Sequence, residues 1–402
     1  MVAVAGLYRT GKSYLLNRIL LDRNSGFGVG PTINPCTKGL WCWNRPVPAT
    51  TRDGQPLSLL IVDSEGIGAL DEDQNHDLKI FTLAILSAST FIYNSVGSID
   101  ENALQNLSLV VNLTKSVQLS AQSNEEEDPD QLASYFPAFF WVVRDFALQL
   151  ISAEGDPISP RDYLERALTP QKGFSDDVEE KNRIRRLLTA YFRDRDCATL
   201  VRPLVDELKL QQLNSCTFEE LRPEFVEQAM SLRKKVLERA RPKTFRGEQL
   251  DGGMYLSMLE AYLRAINEGA VPNIQNAWTY MCMEKCGQLL EWCTGEFKAR
   301  AREIALPLPE HELRAAVGGI SEYVVGEFKR QQIGEEGEEY LEELTHTISK
   351  RVEELAIENE REAVGVLKNH IISRFGSIEQ QMRRGEFGSY QEFTKRLAQF
   401  HS

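Results

Sequence analysis

The feature that most constrains this chain begins at its sixth residue: Gly6-Leu7-Tyr8-Arg9-Thr10-Gly11-Lys12-Ser13. It fits G-x-x-x-x-G-K-[ST] throughout, with a short apolar strand, Val2-Ala3-Val4-Ala5, before it and a helical pattern from Ser13 to Leu21 after it. The chemistry of phosphate binding asks for these residue types. The glycines let backbone N–H groups turn inward around a β-phosphate, Lys12 sets a cation against the β- and γ-oxygens, and the Ser13 hydroxyl is a Mg²⁺ ligand. The helix that starts there adds the positive end of its dipole.

Roughly the first 200 residues alternate apolar runs with helical stretches, which predicts an α/β domain with a mainly parallel sheet covered by helices. Leu57 to Val62 reads as a second fully buried strand running straight into Asp63-Ser64-Glu65-Gly66. An acid at the end of such a strand supplies the other half of the site: Asp63 would hold the Mg²⁺ shell, and the Gly66 N–H would meet a γ-phosphate. Thr37, in Pro35-Cys36-Thr37-Lys38-Gly39, is the candidate to close over the metal. Lys79 to Ser89 reads as helix, Thr90 to Asn94 as extended chain, and Ala138 to Val143 as a strand that ends at Arg144-Asp145. That Arg-Asp pair is either an ion pair or a reader of the base; the phosphate loop by itself leaves the base open.

Composition narrows the class further. A formal charge of −13 argues against nucleic acid as the main partner. The seven cysteines are odd in number and scattered, so they read as free thiols of a cytoplasmic protein. Cys282, Cys286 and Cys293 share a helical stretch, either as small apolar residues or as part of a zinc site that lacks a fourth ligand. The acidic run Ser123 to Asp130 reads as a solvated loop. No apolar run is long enough to span a bilayer, and Phe400-His401-Ser402 is not a prenylation box.

After Thr244 the pattern turns helical, giving two expected domains, 1–244 and 245–402, the second an all-α bundle. Gly247, Gly252 and Gly253 mark the break. Met254, Met258, Leu259, Tyr262, Leu263 and Ile266 form one apolar face, and Gly269 with Pro272 stops that helix. Leu341, Leu344, Ile348, Val352 and Leu355 form a second stripe, suited to a bundle core or to a coiled coil.

With these residues in view, the chain resembles the guanylate-binding-protein branch of the dynamin-like large GTPases. Gly6 to Asn17 resembles that family's phosphate loop, including its Arg. Thr37-Lys38-Gly39-Leu40-Trp41-Cys42-Trp43 resembles its first switch, Asp63-Ser64-Glu65-Gly66 its second, and Val142-Val143-Arg144-Asp145-Phe146 its guanine-reading R-D motif. The likeness runs on through Pro157 to Glu165, Leu221 to Val226 and Ala265 to Pro272, and thins out after about residue 285.

The resemblance implies GTP as substrate and Mg²⁺ as cofactor. The expected nucleotide site is Gly6 to Ser13, Val29, Gly30, Pro31, Asp63 to Gly66, Arg144 and Asp145, with a guanine-capping segment near Thr199 to Pro203. Ser13, Thr37 and Asp63 would be the metal ligands, and Arg9, Lys12, Thr37 and Glu65 the catalytic group. Arg9 would act as an arginine finger in cis, pushed inward when two such domains dimerise face to face, so the implied partner is a second copy of the chain. Peripheral membrane association stays open, as does hydrolysis beyond GDP to GMP. A carboxylate such as Asp145 can accept from both N1–H and the 2-amino group of guanine, while Arg144 would stack near or fix that edge.

Three departures from the family stand out. Pro35 occupies a position where better-known animal members carry a serine that orders the attacking water, the first strand begins at Met1, and the long C-terminal effector helices and prenyl signal are missing. Pro35 also favours an alternative: a nucleotide-gated interaction module that binds GTP and hydrolyses it poorly. An ATPase would leave Asp145 without a role, and a membrane-fusing relative similar to atlastin would need transmembrane helices.

Overall fold

The computed structural model describes residues 1–29, 37–51, 53–68, 74–107, 117 and 133–401. They form two compact units, Met1–Met281 and Cys282–Ser402. Gly30, Pro31 and Pro35 lie outside the described residues, as does the acidic run 123–130.

The first unit is built on a six-stranded sheet in the order β2-β5-β1-β6-β7-β8. The strands are β1 (Val2–Ala5), β2 (Leu40–Cys42), β5 (Ile61–Ser64), β6 (Thr90–Val96), β7 (Ala138–Arg144) and β8 (Arg195–Thr199). Only β2 runs antiparallel, against β5; the other pairs are parallel. β1 and β7 are buried along their whole length, which is why Val-Ala-Val-Ala and Ala-Phe-Phe-Trp-Val-Val read as unbroken apolar runs rather than alternating ones. The chain leaves β1 toward β5 on one side and returns to β6 on the other, so β1 ends at a topological switch point, where open α/β sheets bind their ligands.

Several sequence expectations are corrected here. The strand expected from Leu57 to Val62 is two strands. Β4 (Pro56–Leu59) pairs antiparallel with β3 (Val47–Thr50) in a separate hairpin, and only Ile61–Ser64 joins the main sheet. The switch falls at Leu60, whose carbonyl accepts from the Val2 N–H at 2.8 Å, so an apolar run gave no hint of the change of sheet. The helix after the phosphate loop, α1 (Lys12–Leu15), continues as a π-helical turn over Leu16–Leu20. Helix α2 (Gln74–Ser87) begins earlier than Lys79. Gly252 and Gly253, read as part of the change to helical character, are themselves the first turn of the helix Gly252–Asn267, which Asp251 caps by accepting from the Met254 N–H.

Within that helix Met254, Met258, Tyr262 and Ile266 are buried, but Leu263 is exposed, because it sits a full 100° of helical rotation from Tyr262. Its C-terminus closes as expected, with Gly269 at φ +74° and the Ala270 N–H bonded to the Ala265 carbonyl. Tyr255 Oη donates to the Ser87 carbonyl at 3.1 Å, which ties this helix to the end of α2.

The second unit is helical, comprising the later part of Ile274–Arg302 with Glu310–Gln331, Gly337–Arg383 and Tyr390–His401. Leu344, Ile348 and Leu355 are buried in its core with Cys286, Cys293, Phe297, Val324 and Phe328, while Leu341 and Val352 pack at the edge. The stripe is a bundle core. The thiols of Cys286 and Cys293 point at the carbonyls of Ile333 and Val324, and no group of three or more His, Cys, Asp or Glu side chains placed to hold a metal ion exists among the described residues. Nor is any described helix long and apolar enough to cross a membrane.

Candidate functional site

The phosphate loop leaves β1 under tight steric control. Gly6 has φ +149°, and a Cβ there would lie 2.1 Å from the Asn94 carbonyl oxygen, so only glycine lets the loop pass β6. The loop is stitched to the segment after β5 by the Tyr8 N–H to Ile67 carbonyl and Ile67 N–H to Gly6 carbonyl bonds, both 3.1 Å. Gly66 is the facing requirement: a Cβ there would come within 2.2 Å of Tyr8 Cα. Thr10 closes the loop on itself through the Leu7 carbonyl, and Asn94 Nδ2 donates to the Thr10 carbonyl at 2.9 Å.

Inside this frame the polar groups converge. Ser13 Oγ donates to Asp63 Oδ2 at 2.6 Å, and Thr37 Oγ1 donates to the same oxygen at 3.1 Å. Asp63 is fully buried, and its second oxygen finds no hydrogen-bond donor among the described residues. Burial pushes its carboxyl above the usual range, against the pull of Ser13, Lys12 and Thr37. Two hydroxyls and a buried carboxylate with an orphaned oxygen are the donor set that a hard divalent cation satisfies, so these residues fit Mg²⁺. Lys12 is buried and donates to the Leu7 carbonyl at 3.2 Å. Burial lowers its pKa to about 8, with Asp63 and Glu65 opposing the drop. Phosphate oxygens beside it would keep it charged.

Glu65 is buried as well. Its Oε2 accepts from the Gly39 N–H at 2.8 Å and faces His76 Nε2 at 3.1 Å, while its own N–H donates to the Gly39 carbonyl. The two expected switch segments are thus joined directly. Sequence reasoning missed His76; a lone His ten residues past Gly66, the last motif residue of the segment, carries no pattern.

A cavity of about 830 Å³ opens above the loop. Tyr8, Arg9, Gly11, Lys12, Ser13, Thr37, Ser64 and Gly66 line one end of its wall, with Val29 and Arg144. Arg9 is held at φ +66°, an uncommon conformation for a residue with a Cβ. The remaining wall is Arg202, Glu207 and the stretch Leu210 to Ser215. Arg202 lies within the expected capping segment; the 210–215 stretch was not foreseen. It is held by Arg18, a fully buried side chain that donates to the carbonyls of Leu213 and Cys216 between the rings of Tyr14 and Phe218.

Arg144 reaches the cavity wall from the end of β7. Its guanidinium donates to the Gly11 carbonyl at 3.3 Å and lies over Tyr14 and Phe225, supporting the phosphate loop from beneath. Burial depresses its pKa, against the opposing charge of Asp145. Asp145 follows at the end of β7 with φ +54°, exposed, and it is not among the cavity-lining residues.

A phosphate loop at the switch point of a mostly parallel sheet, with an acid ending the neighbouring strand, defines a P-loop nucleotide-binding protein. Residues 1–245 match the family model for the guanylate-binding protein N-terminal domain, and residues 246–402 match that for its C-terminal domain. The chain belongs to the guanylate-binding protein family. It is 32% identical over 370 residues to guanylate-binding protein 3 of Mus musculus, covering 90% of this chain and 59% of the relative. It is 30% identical to guanylate-binding protein 7 of Homo sapiens (96% and 61% covered) and 31% identical to human guanylate-binding protein 1 (99% and 68%). The chain thus spans 59 to 68% of the length of these curated relatives.

Proposed function

We propose that this protein binds GTP with Mg²⁺ and hydrolyses it to GDP and phosphate, activated by face-to-face dimerisation of its nucleotide domains. The observation that carries the reading is the convergence of the Ser13 and Thr37 hydroxyls on the buried Asp63 carboxylate beside Lys12. Ser13, Thr37 and Asp63 would hold the Mg²⁺, which when bound neutralises charge on the β- and γ-phosphates. Lys12 binds the same oxygens from the loop, and Gly66 meets the γ-phosphate with its N–H. Glu65 accepts from the attacking water as that water adds to the γ-phosphorus and the bond to the β–γ bridging oxygen breaks. Arg9, at the cavity wall, stabilises the charge on the transferring group.

Chemistry is assigned to residues 1–244, with 245–402 as a helical domain that contributes none. Guanine is assigned to Asp145, and a second copy of the chain is the partner. Cys42, Cys197, Cys216, Cys286 and Cys293 are free thiols, which suits a reducing, cytoplasmic setting.

The test is turnover of GTP and ATP by the purified chain, with and without Mg²⁺, across a range of protein concentrations, with product analysis. Mg²⁺-dependent turnover of GTP alone, rising in specific activity with concentration and lost in Lys12→Ala, is the expected result. Tight Mg²⁺-dependent GTP binding with negligible turnover would favour the nucleotide-gated module instead, and equal use of ATP would overturn the base assignment.

A further inference from the structure

The buried carboxylate of Glu65 is held on one side only. Its Oε2 takes the Gly39 N–H from the first switch segment and faces His76 Nε2 from the first turn of α2, whereas Oε1 is buried and finds no donor among the described residues. Leaving a buried charged acceptor unsatisfied is costly unless a ligand or water fills the position. The residues on either side of Glu65, Ser64 and Gly66, both line the nucleotide cavity, and Lys12 is close enough to feel the Glu65 charge. The same turn of α2 grips this segment a second time, since Asp77 Oδ2 accepts from the Gly68 N–H at 2.8 Å.

We infer that His76 is a positioning residue for hydrolysis. It fixes Oε2 of Glu65 together with the Gly39 N–H, so that Oε1 stays in place as the acceptor for the attacking water. This rests on the GTPase reading above. It gives the first turn of α2 a task beyond packing, and it makes the orientation of Glu65 depend on two contacts, one from each switch segment. His76 remains more than a third exposed, so its replacement does not open the core.

Steady-state kinetics and nucleotide affinity of the full chain test this with His76→Ala, His76→Gln and Glu65→Gln. A glutamine amide nitrogen can reach the position of an imidazole Nε2 and donate to the same oxygen. His76→Ala should lose roughly ten- to hundredfold in kcat through misplacement of the acceptor, with the Kd for a non-hydrolysable GTP analogue near wild type. His76→Gln should recover most of that loss. A general structural role would instead lower affinity and thermal stability in both variants and leave no rescue.

Wild-type kcat in His76→Ala, or an equal loss in His76→Gln, overturns the role of His76 alone, provided the wild type turns over and Glu65→Gln does not. A wild type without GTP turnover would overturn the underlying function as well.

Discussion

The two ends of the nucleotide cavity are built in different ways. At the phosphate end, nearly every polar group comes from two short contiguous stretches, Gly6 to Ser13 and Asp63 to Gly66, which are stitched together by backbone bonds between Gly6, Tyr8 and Ile67. Steric limits at Gly6 and Gly66 leave that end little freedom. At the other end the wall is assembled from Arg202, Glu207 and the 210–215 stretch, pinned from behind by Arg18. The comparison teaches that the loop side of the cavity is set by backbone contacts, which a motif encodes locally, whereas the opposite wall depends on side chains whose partners are far away in sequence.

The sharpest way to separate the ends is to remove a cation that belongs to the phosphate end and nothing else. Arg9→Ala should keep near-normal GTP affinity while losing roughly 10³- to 10⁵-fold in kcat, the usual worth of an arginine finger. Stopped-flow binding beside single-turnover hydrolysis resolves the two quantities. Full activity in the variant, with turnover independent of protein concentration, would mean that Arg9 is a surface side chain and that the dimer-coupled mechanism is wrong.

The base end is broken by Asp145→Asn. If Asp145 reads guanine, GTP should weaken by roughly 1–3 kcal/mol, about ten- to hundredfold, and preference should shift toward xanthine nucleotides, whose 2-oxo group can accept from the amide. Asp145 is exposed and does not line the cavity, so the measurement also tests the geometry. Unchanged guanine preference would pass base recognition to the wall that contains Arg202.

This contrast also explains what the sequence made legible. The loop, the acid at the end of β5, the parallel sheet and the bundle stripe follow from local pattern, because each is set by residues within one or two turns or strands of one another. The hairpin β3–β4 hides inside an apolar run because pairing partner, not hydrophobicity, decides which sheet Leu57 joins. Arg144 offered a charge at a strand end, and its contacts with the Gly11 carbonyl, Tyr14 and Phe225 come from other elements that no local pattern marks. Arg18 and His76 act through contacts that span from 11 to nearly 200 positions, so no spacing rule marks them.

The smallest effect on nucleotide handling is expected from removing the helical part, and where the cut is made matters. Cys282–Ser402 holds its own core, and no residue in it is assigned to chemistry. A chain ending at Met281 should therefore keep GTP affinity within about twofold, as an independently folded unit does. A chain ending at Thr244 keeps the same site residues but loses the helix whose Met254, Met258, Tyr262 and Ile266 are buried within the first unit, and whose Tyr255 is bonded to Ser87. It also loses Phe245, which packs edge-on against Tyr135 at 5.2 Å. Burial of each large apolar side chain contributes on the order of 1.5–3 kcal/mol, so the shorter chain should unfold at a clearly lower temperature while its folded fraction still binds GTP. Isothermal titration and thermal melts of both truncations distinguish the outcomes. Loss of GTP binding in a folded chain ending at Met281 would show that the helical part completes the site, and equal melting temperatures for the two would remove residues 245–281 from the core of the nucleotide-binding unit.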